Sequence, residues 1–282
     1  MARIPERLGS LKLVRQIGKG RHCQIWEAED GAAARPVAVK LIVPAMAGDA
    51  PQRKLLAHEF KVARTLEHPT IIRMERTAED DGIPYLVMEL FPHPNLKQQI
   101  AEGVEKLAPR LQRMITEIAL ALDHVHARGW VHRDVKPDNV LAAPDGQVKL
   151  IDMELAARAS GPLGMLFGPK PPAQGTPSYM SPEQIRGQTL TARSDIYAFG
   201  CMLFEMLAGK PPYTAATANE LLNKHVSAPV PSVQTINRNA TTSVSELLRQ
   251  LLAKKASARP GSMQAVLQQL RTIRLLERAT AG

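Results

Sequence analysis

The stretch "HRDVKPDN", residues 132–139, decides how the rest of this chain is interpreted. It follows residues 110–129, whose apolar positions recur at helical spacing, and it precedes a short apolar run typical of a strand. Asp134 and Asn139 are five positions apart, and Asp152 follows at the end of the next predicted hairpin. A polar turn with satisfied hydrogen bonds is the simpler interpretation, but it does not explain why all these pieces occur in this order.

The residue types in this stretch suit phosphoryl transfer. A carboxylate such as Asp134 can accept the proton of a hydroxyl substrate, and a lysine such as Lys136 can balance charge on a γ-phosphate. An amide and a second carboxylate, here Asn139 and Asp152, offer the oxygen ligands that Mg²⁺ prefers. The pattern therefore predicts Asp134 and Lys136 as catalytic residues and Asn139 and Asp152 as metal ligands.

Two weaker motifs precede this stretch in the chain. In "IGKGRHCQI", residues 17–25, Gly18 and Gly20 permit a tight turn between two strands, where backbone N–H groups can approach a phosphate. Strand alternation in the run "VAVK" places Ala38 and Lys40 on one face. Each motif is common in ordinary hairpins and solvated strands, so neither indicates a function by itself.

The distribution of strand-like and helical segments along the chain predicts an α+β fold with two lobes. Short β-rich runs separated by turn residues fill roughly the first ninety residues, interrupted by one helical segment at residues 53–68. Two prolines in "FPHPN", residues 91–95, indicate a hinge, and the chain beyond is mostly helical. Residues 194–212 are apolar nearly all round, which predicts a buried central helix. We therefore expect a small β-rich N-terminal lobe with one helix, residues 1–90, and a larger α-rich C-terminal lobe, residues 91–282.

The composition bounds the class of protein. A net charge of +9 and a pI near 9.7 favour anionic partners such as nucleic acid, acidic membrane or nucleotide phosphates, or simply a solvated basic surface. Cys23 and Cys201 lie far apart without a CxxC pattern, so we expect no disulfide framework and a cytoplasmic location. No apolar run reaches about 18 residues, so no membrane span is predicted. The histidines show no HExxH spacing, and no zinc site is assigned.

In their order and spacing, these motifs resemble those of eukaryotic-type protein kinases, and the chain is most similar to the bacterial Ser/Thr kinases over roughly residues 10–275. The resemblance implies an enzyme that transfers the γ-phosphoryl of ATP to a Ser or Thr hydroxyl of a protein substrate, with Mg²⁺ or alternatively Mn²⁺ as the cation. It adds Lys40, which resembles the strand lysine that contacts the α- and β-phosphates, and Glu59, which resembles its ion-pair partner, to the catalytic residues. No nucleic-acid partner is implied.

The same resemblance implies which residues of this chain contact the nucleotide. They comprise phosphate-loop residues, strand residues of the first lobe, a gatekeeper, hinge residues that meet adenine, and one residue of the second lobe. In chain order they are Ile17, Gly18, Lys19, Gly20, Ile25, Ala38, Lys40, Met88, Glu89, Phe91 and Leu141.

A third part of the resemblance concerns the protein substrate. The run "GTPSYMSPE", residues 175–183, resembles the substrate-docking end of an activation segment, and its Glu183 is expected to pair with Arg259. Asp195 is expected to brace the catalytic loop from the central helix. Lys136 lies two positions after Asp134, and Thr176 is placed to bond both, as in Ser/Thr kinases.

Three residues depart from the pattern near the expected phosphate site. Cys23 stands where the phosphate loop usually has a third glycine, as a tolerated small side chain or as a thiol open to oxidation. Met153 and Glu154 replace the usual Phe and Gly after Asp152. We expect Glu154 to point away towards a neighbouring cation such as Arg158; the alternatives are that it repels ATP or adds a metal ligand.

The activation loop and the chain end raise the question of regulation. Between Asp152 and Gly175 the only hydroxyl side chain is Ser160, so the phosphate that Arg133 would bind in many relatives has no obvious donor. We expect activity that needs no loop phosphorylation, or that depends on Ser160 or a partner. We expect no sensor domain or membrane helix after the kinase core, and we therefore expect regulation by a partner or a homodimer.

Two other functions remain open on the sequence. A pseudokinase or nucleotide-binding scaffold would explain Cys23 and Glu154 together. A small-molecule kinase is the third hypothesis, but it gives no reason for the docking run at residues 175–183.

Overall fold

The structure is a computed structural model that describes residues 4–31, 35–159 and 174–278. The described residues form two compact units. The first runs to Pro92 and also includes Asp152–Glu154, and the second contains the remaining residues from His93 onward. Of the helices in the described ranges, none is both long and apolar enough to cross a membrane.

The first unit is built on an antiparallel sheet of six strands. Its strands are β1 (Arg7–Leu8), β2 (Leu11–Lys19), β3 (Cys23–Asp30), β4 (Arg35–Ile42), β5 (Met74–Asp80) and β6 (Ile83–Glu89). Their spatial order is β1-β2-β3-β4-β6-β5, so β4 is paired on both sides. Leu11, Val37, Val39, Leu41 and Val87 belong to one buried apolar cluster of this sheet. Because side chains alternate along a strand, Lys40 of β4 lies on the face opposite Val39 and Leu41.

One α-helix, α1 (Ala50–Ala63), accompanies the sheet. The Asp49 side chain caps it by accepting a hydrogen bond from the Gln52 N–H at 3.0 Å, which satisfies an otherwise unpaired donor of the first turn. The sequence pattern predicts a helix to residue 68, which is too long. The helix ends at Ala63, after which the N–H groups of Thr65 and Leu66 donate to carbonyls only three residues back, so the α-helical pattern stops.

The second unit is mostly helical. Its α-helices are α2 (Leu96–Ala101), α3 (Leu111–Ala127), α4 (Pro182–Ile185), α5 (Ala192–Ala208), α6 (Ala218–Ser227), α7 (Thr242–Leu251) and α8 (Met263–Thr272). Its short strands are β7 (Trp130–Val131), β8 (Val140–Ala142), β9 (Val148–Leu150) and β10 (Ala157–Arg158). β8 pairs with β9 and β7 with β10, each antiparallel.

The central helix α5 is buried on nearly every side, as its apolar sequence predicts. Tyr197, Phe199 and Phe204 are fully buried. A Cβ at Gly200 would come within 2.8 Å of the Leu251 Cβ, so the missing side chain allows α7 to pack closely against α5. The helix ends at Gly209, whose φ of +74° is left-handed. A unit built on a sheet, with one α-helix among its described residues, and a second unit that is mostly helical confirm the predicted α+β class.

Candidate active site

Lys40 is the centre of an ion-pair cluster in the first unit. Its ammonium donates a hydrogen bond to Glu59 Oε2 at 2.7 Å. The same Nζ lies 3.7 Å from Asp152 Oδ1 and 3.6 Å from Glu154 Oε2. The side chains of Lys40 and Glu59 are only 10% and 2% exposed, whereas those of Asp152 and Glu154 are 33% and 31% exposed. The structure therefore brings Lys40 together with Glu59, the pair that the resemblance implies.

The electrostatics of this cluster keep Lys40 charged. Burial alone would lower the pKa of Lys40, but the charges of Glu59 and Asp152 raise it overall. A buried ammonium that remains protonated offers a fixed positive charge, which is what a lysine needs in order to bind phosphate oxygens.

The position of Glu154 corrects the sequence-based expectation. Arg158 donates from Nη1 to the Arg128 carbonyl at 2.9 Å and lies 4.0 Å from the centre of the Trp130 ring. Glu154 instead lies beside Lys40, so the expected pairing with Arg158 is wrong. The reason is local: Asp152 adopts a left-handed φ of +66°, and its carboxylate accepts the Glu154 N–H at 3.3 Å, a turn that nearness in sequence does not reveal.

The donor atoms near Asp152 fit a divalent cation. Carboxylate oxygens of Glu59, Asp152 and Glu154 lie within 4.8 Å of one another. Such oxygen donors are the ligands that Mg²⁺ and Mn²⁺ favour. Asn139, the other predicted ligand, belongs to the second unit, where its amide nitrogen donates to the Asp134 carbonyl at 2.9 Å. Its amide oxygen is also a ligand of the kind that these cations accept.

The phosphate-loop residues occupy the end of β2 and the start of β3. The Gly20 N–H donates to the Cys23 carbonyl at 2.9 Å, which closes the predicted turn. A Cβ at Gly18 would lie 3.3 Å from the Ile25 side chain, so a larger residue there would crowd this strand pair. Lys19 is the last residue of β2, and Ile17 is 40% exposed.

The predicted adenine contacts lie on neighbouring strands of the same unit or in the other unit. Ala38 of β4 is directly opposite Met88 of β6 in the sheet register. Glu89 is the last residue of β6, and Phe91 follows shortly after it. Leu141 belongs to β8 of the second unit.

The thiol of Cys23 should react slowly with alkylating reagents. Burial raises its pKa from 9.0 to about 11, and the nearby charge of Lys40 only partly opposes this. Because the thiolate is the nucleophile, we expect iodoacetamide to label Cys23 about a hundredfold more slowly at neutral pH than an ordinary exposed cysteine.

Peptide mass spectrometry of the native chain over time measures this rate, and it should rise as pH increases towards 11. The other cysteine, Cys201, is fully buried and offers an internal reference, and unfolded chain labelled in denaturant gives the upper limit. Labelling of native Cys23 as fast as in denaturant would contradict the prediction and favour the redox-sensitive interpretation.

The predicted catalytic loop, in the second unit, forms one hydrogen-bonded cluster around Asp134. Lys136 Nζ donates to Asp134 Oδ2 at 2.5 Å and to Thr176 Oγ1 at 2.8 Å. Asp134 Oδ1 accepts both the N–H and the hydroxyl of Thr176 at 3.0 Å. With the Asn139 contact described above, the structure brings together the four residues that the sequence placed in this loop and in the docking run.

Asp195 of α5 holds the backbone of this loop. Its carboxylate is 1% exposed and accepts the His132 N–H at 2.8 Å and the Arg133 N–H at 2.9 Å. Arg133 has a φ of +72°, a conformation that costs a non-glycine residue energy and is found at functional sites. His126 of α3 contacts the same carboxylate through Nε2 at 2.8 Å. Burial alone would raise the pKa of Asp195, but His126 lowers it overall.

The role of His126 could not be predicted from the sequence, where the spacing of the histidines only argues against a zinc site. His126 lies six positions before His132, on the last turn of α3. Only the packing of α3 beside α5 shows that its ring meets Asp195.

The docking run is anchored at several points. Arg259 donates to both carboxylate oxygens of Glu183, at 2.7 and 2.9 Å, which is the predicted pair. Gly175 has a φ of +122°, and a Cβ there would lie 2.9 Å from the Gln184 side chain and 3.2 Å from the Arg133 carbonyl. This position therefore requires glycine.

A second anchor of the docking run was not predicted. Glu205 of α5 is fully buried, and its two carboxylate oxygens accept the Tyr179 hydroxyl and the Lys97 ammonium, each at 2.5 Å. Lys97 is 108 residues away from Glu205 in the chain, so no local pattern indicates their contact.

The expected regulation by phosphate concerns Ser160 and Arg133. Ser160 lies outside the described residues. Burial lowers the pKa of Arg133, and its Nε and Nη2 atoms have no hydrogen-bond partner among residues 4–31, 35–159 and 174–278.

Comparison with known proteins identifies the family. The family model of the protein kinase domain matches residues 11–270. The chain therefore belongs to the protein kinase family, which confirms the resemblance to these enzymes.

Three of its relatives are bacterial proteins. The chain is 33% identical to the serine/threonine-protein kinase PknH of Mycobacterium tuberculosis over 93% of its own length and 41% of the length of PknH. It is 36% identical to a probable serine/threonine-protein kinase of Streptomyces coelicolor over 79% of its own length and 34% of that protein. It is 32% identical to the serine/threonine-protein kinase PrkC of Bacillus subtilis over 87% and 38% of the respective lengths. The chain thus spans less than half the length of these relatives.

Proposed function

We propose that this chain is a Ser/Thr protein kinase that uses ATP and Mg²⁺, or alternatively Mn²⁺, to phosphorylate a protein hydroxyl. The observation that carries the proposal is the hydrogen-bonded set of Asp134, Lys136, Asn139 and Thr176. The names of the relatives support it, since two are serine/threonine-protein kinases and the third is a probable one. No relative described above favours the pseudokinase alternative.

In the proposed reaction each residue has a distinct task. Asp134 orients the substrate hydroxyl and accepts its proton, and Lys136 stabilises negative charge on the transferred group. Lys40, held by Glu59, binds phosphate oxygens. Bound MgATP supplies the γ-phosphoryl and the cation that neutralises developing charge, and Asn139 and Asp152 are its proposed cation ligands. Positioning and electrostatics provide most of the rate gain.

The remaining nucleotide contacts stay part of this proposal. They are Ile17, Gly18, Lys19, Gly20, Ile25, Ala38, Met88, Glu89, Phe91 and Leu141. We also propose that residues 1–90 and 91–282 act as the N-terminal and C-terminal lobes of the enzyme.

A protein substrate is favoured over a metabolite. The Arg259–Glu183 pair and the Tyr179–Glu205 contact hold residues 175–183 in place. A fixed docking surface of this kind suits a protein substrate, and a small substrate would not need it. A regulatory partner or a homodimer remains part of the proposal. So does a cytoplasmic location, with which the two free cysteines agree.

Transfer of label from γ-labelled ATP to a generic basic protein tests the proposal. The reaction should require Mg²⁺ or Mn²⁺, stop with a chelator, and yield phosphoserine or phosphothreonine. Absence of transfer together with nucleotide-dependent thermal stabilisation would indicate a pseudokinase. Label found only on a small molecule, in an amount that substitutions in residues 175–183 do not change, would indicate a small-molecule kinase.

A further inference from the structure

The Lys40 cluster contains one carboxylate more than the family pattern provides. Glu154 stands at a position where the family pattern has glycine, and its Oε2 lies 3.6 Å from the Lys40 ammonium. Glu59 and Asp152 already face the same nitrogen. Without Glu154 the cluster would hold one ammonium and two carboxylates. With Glu154 it holds one ammonium and three carboxylates, so its formal charge is more negative by one.

Glu154 contributes charge rather than a structural hydrogen bond. Lys40 donates to Glu59 at 2.7 Å, whereas the 3.6 Å separation from Glu154 exceeds hydrogen-bond distance. Removing the Glu154 charge therefore leaves the buried partner of Lys40 in place, and the fold of the unit should survive.

The burial of Glu59 and Glu154 determines which of the two carboxylates a phosphate can displace from Lys40. The Glu59 side chain is 2% exposed and is enclosed, while the Glu154 side chain is 31% exposed. A phosphate that binds Lys40 can displace a carboxylate that has access to water at little cost. It cannot displace Glu59 without leaving a buried charge unpaired.

We propose that Glu154 is an internal competitor of the ATP phosphates for Lys40. Without nucleotide, its carboxylate pairs with the Lys40 ammonium; nucleotide binding turns it out into water. The residue therefore weakens binding of phosphate-bearing ligands and sets a higher nucleotide concentration for activity. This inference rests on the proposed function, because it assumes that Lys40 binds ATP.

Binding measurements with Glu154→Gln test the inference without catalysis. Glutamine keeps the size of the side chain and removes the charge. We expect the Kd of a non-hydrolysable ATP analogue with Mg²⁺, measured by calorimetry, to fall about fivefold, as suits a partly exposed ion pair. The Kd of adenosine, which has no phosphate, should not change. Glu246→Gln, an exposed glutamate of α7 with the same charge change, should leave both values unchanged.

Each other outcome has a definite meaning. An unchanged or raised Kd for the analogue in Glu154→Gln overturns the inference, and the raised value would indicate a Glu154 that helps to hold the cation. An equal gain for adenosine also overturns it, since the effect would then concern shape rather than phosphate charge. If the unsubstituted chain transfers phosphate while these Kd values do not differ, only this inference fails. If neither protein binds the analogue and no transfer occurs, the proposed function fails with it.

Discussion

Replacing Asp134 with asparagine should lower the rate of phosphoryl transfer by about a thousandfold. An amide cannot accept the proton of the substrate hydroxyl at neutral pH. It also disrupts the loop, because both oxygens of the carboxylate are acceptors, one for Lys136 and one for Thr176. Asparagine has only one acceptor oxygen, so one of these two contacts must be lost. Initial rates with labelled ATP at saturating protein substrate measure the effect.

Two controls isolate this effect from folding and from nucleotide binding. Asp138→Asn changes an exposed carboxylate in the same loop, and its rate should stay within about twofold of the unsubstituted chain. The Kd of the ATP analogue in Asp134→Asn should be nearly unchanged, because the proposed task of Asp134 concerns the hydroxyl substrate. A variant that retains a tenth or more of the rate would show that Asp134 is not the base.

Contacts between residues that are close together in the chain could be predicted from the sequence. Six consecutive positions contain Asp134, Lys136 and Asn139. In a loop of that length their side chains lie close enough to contact one another. Lys40 and Glu59 are 19 residues apart on a strand and a helix. Spacing alone did not predict their pairing, which came from the resemblance to the family.

Contacts decided by backbone conformation or by distant packing could not be predicted. Nearness in the chain favours Arg158 as the partner of Glu154, but the left-handed Asp152 turns Glu154 towards Lys40. Glu205 appears in the sequence as one acid in an apolar helix. Its role is defined by Tyr179 and Lys97, which reach it from remote segments. In both cases the deciding quantity is a dihedral angle or a tertiary contact, which residue types alone do not specify.

Replacing Arg259 with methionine should lower the free energy of unfolding by about 3–5 kcal/mol, the usual cost of leaving a buried charge without its partner. The Arg259 side chain is fully buried and the Glu183 side chain is 8% exposed, so water cannot replace the lost guanidinium. Urea denaturation followed by circular dichroism measures the loss. Arg271→Met, a similar change at an exposed arginine of α8, should cost no more than about 0.5 kcal/mol.

The pH dependence of this loss distinguishes the ion pair from simple packing. Burial alone would raise the pKa of Glu183, but Arg259 lowers it below its ordinary value of 4.5. The carboxylate therefore contributes stability above pH 4.5, and that contribution is lost as pH falls through the lowered pKa of the folded state. Without Arg259, burial should instead raise the pKa of Glu183, so that acid relieves the unpaired charge. The difference in unfolding free energy between the two proteins should thus shrink as pH falls from 7 towards 4, whereas a loss of packing alone would leave it constant.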